Sequence, residues 1–298
     1  MKKNLANVSK LFLTATAAAI VLTACDADDH PSLGPGNADR VVRALVAGYE
    51  GSGQALEGEN KVENLHAFVF DEGRMVAAFR DVPPSEEGRY EIKANGYKGR
   101  MYVVANAGQL LDFASMAERN ISEEEWLNLT LGLDGDSVAH FFTGSVELNA
   151  VGQTVVPVTL KRGVVRFDLR LQTDGEAALS SLVLRQLTDS VRLFPEGGML
   201  AARPDGAERV VEVNFAEPLT TDRAAVAYVY EQADADIEVE ARMTLDGRPL
   251  TLKGRLEGNL VRNSIYAITV GNTGLEIGLV LDFEDWADGG ETVLKPVW

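Results

Sequence analysis

Cysteine is almost absent from this chain, in which Cys25 is the only one among 298 residues. The sequence therefore lacks the thiols for a disulfide framework, a CxxC redox pair or a thiolate-ligated metal site. Only three histidines are present, and no GxSxG, HExxH, P-loop or GxGxxG motif occurs. Because the sequence contains no recognisable nucleophile–base pair or nucleotide-binding loop, we expect a protein that is not an enzyme and that needs no cofactor or metal.

Basic residues are also scarce, with 28 Lys and Arg against 45 Asp and Glu, and the formal net charge is −17. Such an acidic surface argues against nucleic-acid binding and against electrostatic docking on anionic membranes. The acidic cluster of Asp134 and Asp136 flanks Gly135 and is interpreted as a turn. A second cluster contains Asp282, Glu284 and Asp285. Clusters of this kind are expected by chance in so acidic a chain, so neither is predicted to be a metal site.

No apolar run is long enough to span a bilayer comfortably, and the longest one lies at the N-terminus. Lysines precede the apolar residues 11–22, and small residues precede Cys25, which is the order of a secretory signal peptide. The sequence Leu-Thr-Ala-Cys at residues 22–25 resembles a lipobox, the lipidation signal of bacterial lipoproteins. We expect residues 1–24 to be removed and Cys25 to carry the lipid that attaches the protein to the outer membrane.

Beyond a polar tether at residues 26–39, the dominant pattern is short apolar runs separated by Gly, Asp, Asn and Pro. Asp246-Gly247 between two alternating runs predicts a hairpin. Residues 109–133 instead have helical spacing, and Ser122 with Glu125 fits a capping box. The sequence predicts an all-β sandwich protein with a short helical insertion, and a domain boundary near residues 161–163.

Four ordered stretches carry the strongest functional signal. They are KVENLHAFVFDEG at residues 61–73, GRMYVVANAG at residues 99–108, VRNSIYAITV at residues 261–270, and Asp285-Trp286 followed by a terminal Trp298. Together they resemble the fimbrillins, the pilins of type V fimbriae, which are made as lipoprotein precursors and polymerised on the outer membrane. Each stretch alone is also typical of a core strand, with inward-facing side chains at Phe68, Phe70, Val103, Tyr266 and Ile268.

The resemblance implies two transthyretin-like β-sandwich domains, at residues 61–161 and 162–298, and no enzymatic activity. It also implies assembly by donor-strand exchange, in which a neighbour's strand fills a groove that one missing strand leaves open. Residues 25–60 would then form a lipidated leader, with residues 41–47 as the removable first strand. The candidate donor strand at residues 292–298 contains Thr292, Val293, Leu294, Val297 and Trp298.

The resemblance also implies an arginine-directed cleavage just after the first strand, and here the sequence departs from the family. Gln54 stands where the arginine is expected, and the nearest arginines, Arg40 and Arg43, come earlier. The candidate cleavage sites are therefore Arg40, Arg43 and Gln54.

Several readings of the function stay open. The first is a fimbrial subunit whose partners are other fimbrial subunits and a host or bacterial surface receptor. A subunit that keeps its leader would instead be an anchor or tip. The other readings are a glycan-binding surface lipoprotein, which would need exposed aromatic side chains, and a periplasmic structural lipoprotein.

Overall fold

The computed structural model describes residues 40–51, 53–148, 154–195, 209–272 and 274–279. Cys25 and the candidate donor strand at residues 292–298 lie outside the described residues. So do the acidic residues Asp282, Glu284 and Asp285, and the tryptophans Trp286 and Trp298.

The described residues form seventeen strands and two short helices. In chain order these are β1 (Val41–Val46), β2 (Leu65–Asp71), β3 (Arg74–Phe79), β4 (Tyr90–Lys93), β5 (Arg100–Ala105), α1 (Phe113–Arg119), α2 (Glu123–Leu127), β6 (Thr130–Leu131), β7 (Phe142–Glu147), β8 (Val155–Arg162), β9 (Val164–Gln172), β10 (Ala177–Leu187), β11 (Val191–Arg192), β12 (Arg209–Leu219), β13 (Arg223–Tyr230), β14 (Gln232–Leu245), β15 (Arg248–Leu260), β16 (Ile265–Gly271) and β17 (Leu275–Leu279).

The first eight strands, except β6, belong to a seven-stranded sheet with the order β3-β2-β5-β7-β8-β1-β4. Leu65, Ala67 and Val69 of β2 pack in one apolar cluster with Val42 of β1 and Val158 of β8. These strands lie on opposite halves of the sheet, so the halves fold over and face each other across this cluster. Burial of alternate side chains from both halves is what holds β1 in the sheet.

The other face of β2 is buried as well, which explains its continuous apolar sequence. Phe68 and Phe70 pack against Trp126 of α2, with ring centroids 4.5 Å and 5.8 Å away. Helix α2 begins at the N-cap Ser122, whose hydroxyl accepts a hydrogen bond from the Glu125 N–H at 3.1 Å. The Ser122 N-cap of the predicted capping box and the helical insertion are confirmed at this point of the chain.

The chain leaves the seven-stranded sheet at Gly163, which separates β8 from β9. The later strands, except β11, form two four-stranded sheets with the orders β12-β10-β14-β15 and β13-β9-β16-β17, and β11 pairs with β6 in a two-stranded sheet. Buried side chains of both sheets, such as Phe167 of β9, Leu182 of β10 and Val239 of β14, share a separate apolar cluster. On β14, buried and exposed residues alternate, as expected for a strand with one face on a core.

The predicted all-β fold is confirmed, and so is the Asp246-Gly247 hairpin. Leu245 pairs with Arg248 across this two-residue turn, and both turn residues have positive φ, 50° and 75°. Glu72 and Gly73 form an equivalent turn between β2 and β3, with φ of 49° and 75°. The division into two transthyretin-like sandwich domains with a boundary at residues 161–163 stays a prediction.

Candidate functional site

Strand β1 is the first described strand of the chain, yet it lies inside the seven-stranded sheet. It pairs parallel to β8, with Val41 opposite Val155, and antiparallel to β4, with Val41 opposite Lys93. Backbone pairing on both sides of a strand satisfies its N–H and C=O groups and those of its neighbours. Withdrawal of β1 would therefore leave two unpaired strand edges, on β8 and β4.

The inner face of β1 covers apolar side chains. Val42 is fully buried, and Ala44 and Val46 pack against the same cluster, which contains Ile92 of β4 and Val156 of β8. A fully buried valine contributes about 1.5–3 kcal/mol relative to an exposed one. We call the space that β1 fills between β8 and β4 the β1 groove. The groove combines an apolar floor with two hydrogen-bonding edges, which is the chemistry that binds an extended strand.

Two of the predicted cleavage candidates lie on this strand or directly before it. Arg43 is in the middle of β1, and its guanidinium forms a 2.8 Å ion pair with Glu91 of β4. The backbone N–H of Arg40 donates a hydrogen bond to Asn95 at 2.6 Å, and its guanidinium donates to the Tyr97 carbonyl at 3.1 Å. A protease binds its substrate as an extended segment, so cleavage at Arg43 requires β1 to leave the sheet first.

Gln54 lies apart from the two arginines, in a segment without strand pairing. Its side chain is exposed, and its carbonyl accepts a 3.0 Å hydrogen bond from Arg166 of β9. Residues 51–60 contain no arginine or lysine. The exposed segment that contains Gln54 therefore has no arginine, and Arg40 and Arg43 lie in the hydrogen-bonded part of the leader.

A cluster of buried polar side chains surrounds the part of the chain that directly follows β1. It consists of Tyr49, Glu59, Arg162, Arg166 and Asn263, and we call it the junction cluster. All five side chains are almost completely buried. Two of these residues belong to the predicted leader and three to the later strands and loops.

Glu59 is the centre of the junction cluster. One of its oxygens accepts hydrogen bonds from the hydroxyls of Tyr49 at 2.9 Å and Tyr228 at 2.5 Å, and the other from Arg166 at 2.9 Å. Burial alone would raise the pKa of Glu59. Hydrogen bonds from Tyr228, the Leu56 N–H and Tyr49, together with the charge of Arg166, outweigh it and hold this pKa below its ordinary value. The carboxylate is therefore charged at neutral pH.

The histidines do not form a site in the described part of the chain. His66 is buried, its Nδ1 accepts a 3.3 Å hydrogen bond from the Asp81 N–H, and its ring lies 4.7 Å from that of Phe113. Burial lowers the pKa of His66, so a neutral ring is favoured. This is the environment of a core histidine. His140 lies elsewhere, with its ring 4.4 Å from that of Tyr228.

No group of three or more His, Cys, Asp or Glu side chains suited to a metal ion occurs among the described residues. Asp134 and Ser137 pair across an isolated bridge with Gly135 at φ 61°, which is an ordinary turn, as interpreted from the sequence. Within the described ranges, no helix is both long and apolar enough to cross a membrane.

In two of the stretches that carry the family resemblance, polar side chains form ion pairs or hydrogen bonds with distant parts of the chain. Arg262 is buried and forms an ion pair with the buried Glu231, while Asn263 has φ 60° and accepts a 2.8 Å hydrogen bond from Arg162. Asn106 has φ 62°, and its side chain binds the Glu63 N–H at 2.8 Å. The five side chains expected to face the core, at Phe68, Phe70, Val103, Tyr266 and Ile268, are buried.

The turn at Asn106 gives a first prediction. Replacement Asn106→Ala should lower the free energy of unfolding by about 1–2 kcal/mol, because it removes the hydrogen bonds to Glu63 and to the Lys61 carbonyl and places alanine at positive φ. Urea unfolding measures this loss. Asn106→Gly tolerates the backbone angle and should lose less. Equal losses for both variants would contradict the backbone part of the explanation.

The fold is that of an all-β protein whose N-terminal strand lies between two later strands of one sheet. Residues 44–159, less than half of the chain, match the family described as "Major fimbrial subunit protein (FimA)". Over that region the chain carries the sequence pattern of the fimbrillins, so the predicted resemblance is confirmed. This is a family of fimbrial structural subunits and not a family of enzymes.

Solved structures agree on the fold. The tip fimbrial protein Mfa3 from Porphyromonas gingivalis, with a C-terminal truncation, is 15% identical with a TM-score of 0.55; the alignment covers 80% of this chain and 99% of that one. A fimbrilin (fimA) from Porphyromonas gingivalis W83 is 13% identical with a TM-score of 0.50, covering 80% of this chain and 91% of that one. Among curated proteins, none matches the sequence.

Sequence reasoning missed the junction cluster. Tyr49, Glu59 and Arg166 were not singled out, and residues 48–60 were predicted only as part of the leader. Arg162 and Asn263 are far from Tyr49 in the sequence, so no local periodicity connects them. The only signal available was composition, since Tyr49 and the arginines interrupt otherwise apolar strand patterns.

Proposed function

We propose that this protein is a structural subunit of a cell-surface fimbrium, exported as a lipoprotein precursor that is acylated on Cys25. Proteolysis in the leader releases β1, and the open β1 groove then accepts the donor strand of another copy. Residues 292–298 supply that donor strand. A contact in which one surface of a copy binds a different surface of the next copy extends into a filament.

The position of β1 is the observation that carries this proposal. The strand is paired on both sides and covers an apolar floor, but it is joined to the rest of the fold through residues 51–58, most of whose side chains are exposed. A cut in this segment would break the covalent link between β1 and the rest of the sheet that it completes. The match to a family of fimbrial subunits supports the same reading.

An anchor or tip subunit that keeps its leader is the second candidate. It is favoured by the location of Arg40 and Arg43, whose backbones are hydrogen-bonded, and by the absence of arginine from the exposed segment. A glycan-binding lipoprotein has less support, since Trp126, the tryptophan in the described part of the chain, is fully buried.

N-terminal sequencing of the surface-assembled protein tests the proposal and separates the two candidates. A polymerising subunit is expected to begin between residues 44 and 61, because cleavage there removes part or all of β1. A start at Cys25 would reject cleavage and identify an anchor or tip subunit. Mass spectrometry of the same sample would show whether Cys25 carries the lipid.

A further inference from the structure

The leader is held by more than β1. The four residues that follow the strand, Ala47 to Glu50, bind Arg162 at the end of β8 and Asn263 in the turn before β16. The Glu50 N–H donates to the Asn263 carbonyl, and the Asn263 side-chain amide donates to the Gly48 carbonyl, both at 2.8 Å. The Ala47 carbonyl accepts a hydrogen bond from Arg162 at 2.9 Å. Three consecutive peptide groups of the leader are therefore recognised.

Tyr49 adds a side chain to this recognition. It is 6% exposed, and two guanidinium groups lie over its ring, that of Arg162 at 4.2 Å and that of Arg166 at 5.0 Å from the ring centroid. A cation over the face of an aromatic ring is attracted by the ring's quadrupole, most strongly where water is excluded. Its hydroxyl donates to Glu59. One tyrosine therefore contacts two buried cations and one buried anion.

Arg162 depends on the leader for part of its stabilisation. It is 2% exposed, and burial lowers its pKa. In the described part of the chain its contacts are the carbonyl of Ala47, the amide oxygens of Asn60 and Asn263, and the rings of Tyr49 and Phe142, with no ion pair among them. Its Nε is buried and has no hydrogen-bond partner among the described residues. A buried cation that loses its partners is strongly unfavourable.

A cut within residues 51–58 would divide these contacts between two fragments. Tyr49 and residues 47–50 would leave with β1, whereas Arg162, Arg166 and Asn263 would stay with the body. We propose that Arg162, Arg166 and Asn263 form a binding site for residues 47–50 that keeps the leader bound after it has been cut. The inference rests on the proposed cleavage of the leader, and it makes displacement of Tyr49 a separate step before the β1 groove opens.

The test uses the full chain with Cys25→Ser and a specific protease sequence introduced within residues 51–58. After cleavage, the retained leader fragment is quantified by gel filtration and mass spectrometry, and its dissociation rate is measured in an excess of a synthetic peptide of residues 40–50. We expect Tyr49→Ala to speed dissociation by about tenfold or more, because it removes the ring that contacts both guanidinium groups. Tyr49→Phe keeps the ring and should have a smaller effect.

Leu45→Ala is the matched control, because Leu45 is in the same leader fragment, on β1, but is 49% exposed and points away from the apolar cluster. It should leave the dissociation rate nearly unchanged. Equal rates for Tyr49→Ala, Leu45→Ala and the parent would overturn the proposed site. Equal acceleration by Tyr49→Ala and Leu45→Ala would also overturn it.

A second measurement avoids changes in the folded body. Peptides of residues 40–50 with or without Tyr49→Ala are exchanged into the cleaved parent protein, and their affinities are compared. We expect the peptide with Tyr49 to bind at least about tenfold more tightly. Both measurements are made on monomers and do not require filaments. Failure of the protein to polymerise would therefore count against the proposed function and not against this site.

Discussion

A disulfide between positions 43 and 91 is expected to abolish fimbrial assembly. Arg43 of β1 and Glu91 of β4 are opposite partners on antiparallel strands, and their side chains point outward. Opposite residues on antiparallel strands have Cα atoms roughly 4.5–5.5 Å apart, which suits a disulfide. Arg43→Cys with Glu91→Cys, in a Cys25→Ser background, would tie β1 to β4, so that cleavage of the leader no longer opens the groove.

The readout is filament formation by the cleaved, purified protein, followed by electron microscopy and gel filtration. The oxidised double variant should remain monomeric, and reduction with a thiol should restore assembly to the level of the parent. Each single cysteine variant is the matched control, since it removes the Arg43–Glu91 ion pair without the crosslink. Exposed pairs of this kind contribute about 0–1 kcal/mol, so the single variants should assemble. Filaments from the oxidised double variant would refute exchange at the β1 groove.

With the same crosslinked variant, the donor strand and the acceptor groove can be tested separately. It keeps residues 292–298 but has a closed groove, whereas a cleaved chain without residues 292–298 has an open groove and no donor. Neither should form filaments alone, and a mixture should stop at one-to-one dimers. Filaments from the truncated chain alone would show that residues 292–298 are not the donor.

Much of the fold was predictable because its signals are local. The turn residues Glu72-Gly73 and Asp246-Gly247 have the positive φ that a two-residue hairpin requires, and glycine or an acidic residue at those positions indicates it from the sequence. The helical insertion was predictable in the same way, since Ser122 and Glu125 are three residues apart. In each case the interacting groups are close along the chain.

The arrangement around β1 was not predictable, because its partners are distant in the sequence. A short apolar run at residues 41–46 indicates a strand, but nothing in it indicates pairing with residues more than one hundred positions later. The sequence located Arg43 as a cleavage candidate but could not show that this residue is paired on both sides. The junction cluster was missed for the same reason, as Arg162 and Ala47 are 115 positions apart.

The Arg-Asn stretch shows what the resemblance alone did not explain. From the sequence, residues 261–270 were a family motif or an ordinary core strand. In the structure, Asn263 connects β8 to the leader, and Arg262 is held by Glu231 and by the carbonyls of Arg192 at 2.6 Å and Leu193 at 3.1 Å. These two adjacent residues therefore join the seven-stranded sheet to the strands that follow it.

Loss of the Arg262 guanidinium is expected to be severely destabilising. The side chains of Arg262 and Glu231 are 8% and 1% exposed, and the Glu231 carboxylate has no other hydrogen-bond donor in the described part of the chain. Removing one partner of a buried ion pair costs about 3–5 kcal/mol, because the other charge is left buried without compensation. Arg262→Met keeps the length of the side chain but should lower the free energy of unfolding by that amount at pH 7, as measured with urea.

A double variant identifies the cause of the loss. Without Arg262, the Glu231 carboxylate would lie buried with no compensating charge. Arg262→Met with Glu231→Leu should recover part of the stability, since no isolated charge remains.

Arg242→Met is the matched control, because this arginine is half-exposed and pairs with Glu240 on the surface of β14. It should cost less than about 1 kcal/mol. A deficit for Arg262→Met that is as small as this, or one that the added Glu231→Leu change does not reduce, would contradict the explanation. A large deficit that Glu231→Leu partly reverses would show that Arg262 compensates the buried charge of Glu231.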